Sequence, residues 1–82
     1  MAGVAMIRVY LVINEDSHYD TEVTVFADDI QARIKARLTA IEGARELSDI
    51  EERDIEGWLY YATYATEGRV WVVERLINLT QP

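Results

Sequence analysis

The chain has 82 residues, a formal charge of −7 from 15 acids and 8 bases, and no cysteine. That length makes one domain, a single sheet plus one or two helices, which hides only about 60 to 65% of its unfolded-chain surface. The missing cysteines exclude a disulfide staple, a thiolate nucleophile and a cysteine zinc knuckle, so a partner subunit is the remaining means of stabilising a thin core.

At the start, Met1 to Ile7 has no basic region, and Arg8 cuts the apolar run before a signal-peptide core or a membrane span develops. The sequence therefore reads as cytoplasmic, with no membrane partner. One domain spans 1–82, and residues 1–5 read as a frayed extension. From Met6 to Ile13, Ile7, Val9, Leu11 and Ile13 share one parity and Arg8, Tyr10 and Val12 the other, the pattern of a strand. A polar cluster at 14–20 follows, then a second alternating run from Thr21 to Phe26, so the two make an antiparallel hairpin.

Asp28 with Gln31 three residues on is a capping-box pattern that starts a helix over 28–42. Ile30, Ile34, Leu38 and Ile41 line its apolar side, Arg33, Lys35 and Arg37 point elsewhere, and Gly43 ends it as a left-handed cap. Ser48 with Glu51 is a second capping-box candidate, for a short helix at 49–55. Trp58 to Thr66 and Val70 to Leu79, dense in Tyr, Trp, Val and Ile, read as a second hairpin. A three-residue loop with Gly68 left-handed sets Thr63 opposite Trp71 and Tyr61 opposite Val73. A two-residue loop instead pairs Tyr64 with Trp71 and Tyr60 with Arg75. The expected fold is thus α+β, β-β-α-β-β, with a four-stranded antiparallel sheet and one amphipathic helix on one face.

Charge is laid out in blocks. Residues 15–29 contribute −6, residues 30–41 contribute +3 and residues 42–56 contribute −5. So acidic a chain is a poor direct binder of nucleic acid and a better match for a basic protein surface. Glu15, Asp16, Asp20, Glu51, Glu52 and Asp54 are the acids expected to meet that partner.

No constellation for catalysis stands out. The one histidine, His18, lies between Asp16 and Asp20, a set with metal-binding donors but packed into five residues of a hairpin tip, which reads as a solvated loop. Ser17 and Ser48 each fall in a predicted loop or cap with no second histidine to distribute catalytic roles, and glycines 3, 43, 57 and 68 form no phosphate-cradling loop. The expectation is no enzyme, no metal and no cofactor. On a helix Arg33 and Arg37 are neighbours whereas Lys35 is not, so the middle cations read as solvated charges or a contact for an acidic protein patch. Aromatics are the least ordinary feature. Tyr10, Trp58, Tyr60, Tyr61, Tyr64 and Trp71 read equally as core or as interface, and in the second reading they and Val12 are the expected interface residues. The sheet face left open by helix 28–42 would then join a homodimer, unless Leu47, Ile50 and Ile55 fold over it.

The segments Val9-Tyr-Leu-Val-Ile-Asn-Glu-Asp16, Asp20-Thr-Glu-Val-Thr-Val-Phe26, Trp58-Leu-Tyr-Tyr-Ala-Thr-Tyr64 and Val70-Trp-Val-Val-Glu74, over about residues 7–77, resemble a group of small uncharacterised proteins from phages and mobile elements. The resemblance carries no catalytic or binding residue. What it implies is a host-interacting accessory protein, including inhibitors of bacterial defence such as anti-CRISPR proteins, which are often small, acidic and dimeric. The leading expectation is therefore a stoichiometric inhibitor or regulator that binds protein. The alternatives are an antitoxin or immunity protein, an acidic DNA mimic and, least, a metal-dependent hydrolase at Asp16, His18 and Asp20.

Overall fold

The computed structural model describes residues 4–16, 19–65 and 68–80. Among them run β1 (Val4–Asp16), β2 (Tyr19–Phe26), α1 (Asp29–Gly43), β3 (Glu51–Glu52), β4 (Tyr60–Tyr64) and β5 (Gly68–Thr80). The fold is α+β: one helix on one antiparallel sheet of order β2-β1-β5-β4-β3. The sheet has five strands rather than four. Val4 and Ala5, expected to fray, pair with Thr80 and Leu79.

β1 and β5 are long, 13 residues each, and their pairing forms the spine of the molecule. β2 pairs with β1 only as far as Tyr10, and β4 pairs with β5 only as far as Val72. Residues 4–9 and 73–80 therefore continue as a two-stranded arm. This explains a radius of gyration of 15.0 Å and a length of 55 Å, against a radius of about 12 Å for a compact chain of this size.

The helix begins where the cap predicts, with Asp28 Oδ1 accepting the Ile30 amide at 2.8 Å. Its buried side is not the expected one. Ala32, Ala36 and Ala40 are fully buried, whereas Ile30 and Ile34 are 61% and 48% exposed and Leu38 and Ile41 are exposed too. The physical reason is volume. The sheet beneath already supplies bulk from Tyr10, Val12, Phe26, Tyr60, Tyr64, Val70 and Val72, so the helix can approach closely only through its small residues.

The 49–55 helix does not form. Glu46 and Asp49 cap a single turn of 3-10 helix at Leu47–Asp49, and Ser48 donates to Glu46 Oε2 at 3.3 Å instead of starting a new helix. The chain then extends as β3, where Glu51 pairs with Thr63 and Glu52 with Ala62, and covers an edge of β4 that would otherwise present unpaired amides. Ile50 packs on the helix side of the sheet and Leu47 is exposed, so neither of these two covers the open face.

The second hairpin takes neither expected register. Tyr61 pairs with Trp71 and Tyr64 with Gly68. Ala65, not Gly68, holds the left-handed conformation, at φ 54°. Gly68 is instead the strand residue across from Tyr64, and the Tyr64 ring lies where a Cβ on Gly68 or on Gly43 would sit. Gly43 is thus no left-handed cap. It is the last helical residue, and the chain leaves the helix through Ala44 in extended conformation.

Candidate functional site

Alternation along the strands sorts side chains onto two faces. Even-numbered residues of β1, β4 and β5 face the helix, and odd-numbered ones face away. Tyr10, Val12, Tyr60 and Tyr64 accordingly lie under α1, in the core or packed on it, and do not contribute to an interface on the open face. Trp58, Tyr61 and Trp71 do lie on the open face, together with Ile7, Leu11, Ile13, Val23, Val25 and Ile77.

The three aromatics of the open face are held by local backbone. A turn from Ile55 to Trp58 closes with the Trp58 amide donating to the Ile55 carbonyl at 3.1 Å, and Gly57 supplies the positive φ of 88° that this turn needs at its third position. The turn brings Trp58 onto the sheet. Its ring stacks on Tyr61 at 5.4 Å and on Trp71 at 5.3 Å between centroids. Arg69 closes the row, with its guanidinium 5.1 Å from the Trp71 ring and ion-paired to Glu15 at 2.7 Å. Glu15 raises the Arg69 pKa above its ordinary value. The result is a stacked aromatic row with a paired charge at its rim.

A second feature lies on the helix side, where the β1–β2 end meets the C-terminal half of α1. Asp16, Asp20 and Glu22 face Glu42 and Lys35 across a groove of about 250 Å³. A bulge between Asn14 and Asp16 shifts the β1–β2 pairing at this point. Tyr64 forms the floor, buried to 3% exposure, and its hydroxyl donates to Asn14 Oδ1. Burial, and then the Asp16 carboxylate, raise the Tyr64 phenol above the ordinary tyrosine value. Tyr60 is shifted the same way, by burial first and the Glu52 carboxylate second, and its hydroxyl is buried without a hydrogen bond of good geometry.

The expected acids do not form one cluster. Asp16 and Asp20 line the groove, while Glu15 sits on the open face against Arg69. Glu51, Glu52 and Asp54 belong to the β3 edge, across the sheet from β2, with Glu51 paired to Arg53 at 3.2 Å. Among the middle cations, Arg33 pairs loosely with Asp29 at 3.9 Å and Lys35 faces the groove acids. Ser17 and His18 lie outside the described residues. Among the described residues no three of His, Cys, Asp and Glu are grouped as metal ligands. None has a helix long and apolar enough to cross a membrane.

Sequence reasoning missed the groove residues contributed by the helix and by β4. Glu42 and Lys35 meet Asp20 and Glu22 only because α1 folds back over the hairpin, a long-range contact without a local signature. No protein-family model, curated protein or solved structure matches the chain.

Proposed function

We propose that the chain is a non-enzymatic, cytoplasmic protein-binding module, acting as a homodimer, that holds a basic protein surface as a stoichiometric inhibitor or regulator of the phage or mobile-element type. The observation that carries this reading is the groove in which, among the described residues, four carboxylates from Asp16, Asp20, Glu22 and Glu42 face the Lys35 cation. Its volume suits one or two long basic side chains, and the chain's charge of −7 steers such a partner toward it. The strand segments that resemble phage and mobile-element proteins support the biological setting. An affinity purification from bacterial lysate names the target.

The groove itself is tested with a fluorescent oligo-arginine peptide. Binding should weaken as salt rises and weaken again in the Asp16→Asn/Asp20→Asn double variant. A peptide that does not bind, or binds equally to that variant, would overturn the assignment of the groove as the partner site.

A further inference from the structure

We infer that the open sheet face is covered by a second copy of this chain, packed face to face about a two-fold axis. This deepens the homodimer proposed above and rests on it. Three observations point to a copy of the same chain as the occupant.

The first is charge. On the strands of the open face, the charged residues within the described side chains are Glu15 and Glu51 against Arg69 and Arg75, so the face has no net charge in a chain that carries −7. Two such chains repel wherever their acids meet, and this face lets them approach without that cost. The exposed helix stripe of Ile30, Ile34 and Leu38 is the competing surface. The Ile34→Glu variant below decides between the two surfaces.

The second is area. At about 3.3 Å per residue and 4.8 Å between strands, the five strands present a flat projection on the order of 600 Å². That projection is of the same order as the ~800 Å² per subunit that a standard interface buries. The third is that the chain covers this face only in part: Val9 and Val73 are buried and Trp58 stacks on Trp71, but the margins stay open. Ile50 packs on the opposite side and Leu47 is exposed, while Val23 and Val25 remain 55% and 57% exposed. A two-fold axis makes one patch complementary to itself and closes the assembly at two subunits. It also keeps both acidic grooves, which lie on the helix side, turned outward toward their basic partners.

The test is sedimentation of the full chain from low to high micromolar concentration, for wild type and for Val25→Glu, Ile77→Glu and Ile34→Glu. All three positions are exposed, so a carboxylate there leaves the subunit folded, which far-ultraviolet circular dichroism verifies. Wild type should sediment at twice 9.4 kDa. Val25→Glu and Ile77→Glu should each raise the dissociation constant at least about tenfold, about 1.4 kcal/mol, with Ile34→Glu behaving as wild type. A single 9.4 kDa species at every concentration would overturn the inference, as would a dimer that Ile34→Glu dissociates while the two sheet-face variants leave it intact. Oligo-arginine binding separates this inference from the function it rests on. A monomer that still binds the peptide overturns the dimer alone, and a sheet-face dimer that ignores the peptide supports the dimer and overturns the groove.

Discussion

One sheet carries two apolar faces that solve different problems. On the helix side, small residues on α1 meet large ones on the strands, and the contact is closed: Ala32, Ala36 and Ala40 have no exposure, and Tyr64 fills the space over Gly43 and Gly68. On the other side, large residues stand beside one another and the chain closes only part of the surface. Val9 and Val73 are buried at its centre, but Val23, Val25, Ile7 and Ile77 at its margins are not. The first face is a core whose tolerance is set by packing density. The second is a platform whose stability depends on what lies against it.

The contrast is broken most severely at Tyr64. Tyr64→Ala removes a buried ring and leaves two glycines facing a void, so urea denaturation should show a loss of about 3 to 5 kcal/mol at any protein concentration. Tyr64→Phe keeps the ring and loses the hydrogen bond to Asn14, a change of about 1 kcal/mol. On the platform, Trp71→Ala should cost about 2 kcal/mol at high concentration, where lost burial adds to lost stacking on Trp58. Its thermal midpoint should lose the concentration dependence expected of the wild-type dimer.

The helix sharpens the same comparison. Ala36→Leu forces a branched side chain into a closed contact and should destabilise by roughly 1 to 3 kcal/mol. Ile34→Ala, two residues away on the outer side, should change stability by no more than about 0.5 kcal/mol. A reversed order of these two effects in denaturant melts would mean that the helix packs through its isoleucines.

Alkaline pH separates the faces again. Tyr60 and Tyr64 lie on the helix side with pKa values raised above 10.0, so the folded state keeps their protons longer than the unfolded state does. Their contribution is complete below pH 10 and is lost as pH rises from 10 through the folded values. The thermal midpoint should fall over that range, and a Tyr60→Phe/Tyr64→Phe variant should show a shallower fall. The smallest effect is expected at the rim of the platform, where Glu15→Gln breaks an ion pair that is 45% exposed on both sides, at a cost below about 0.5 kcal/mol.

Much of this architecture is legible in particular residues. Alternation in 6–13 and 21–26 marks a hairpin, and Asp28 marks the helix start to the residue. The alanine stripe at 32, 36 and 40 was as visible as the isoleucine stripe, with the same spacing. Weighing side chains by hydrophobicity chose the wrong one, because a stripe of small residues is favoured only when the surface beneath is already bulky. The groove was half legible: Asp16, Asp20 and Glu22 stand together in the chain, but their partners Lys35, Glu42 and Tyr64 come from elements that meet them only in three dimensions.

By itself the sequence determined the class of the fold, the two hairpins and the helix, the acidic character and the excess of aromatic side chains, because each follows from local periodicity, capping or composition. The tertiary structure decided the rest. It chose which side of the helix faces inward, set the register that pairs Tyr61 with Trp71, turned 51–52 into an edge strand and divided the aromatics between core and open face. Each of these choices is a competition between alternatives of nearly equal local merit. It is settled by how closely two distant surfaces fit, which no window of neighbouring residues contains.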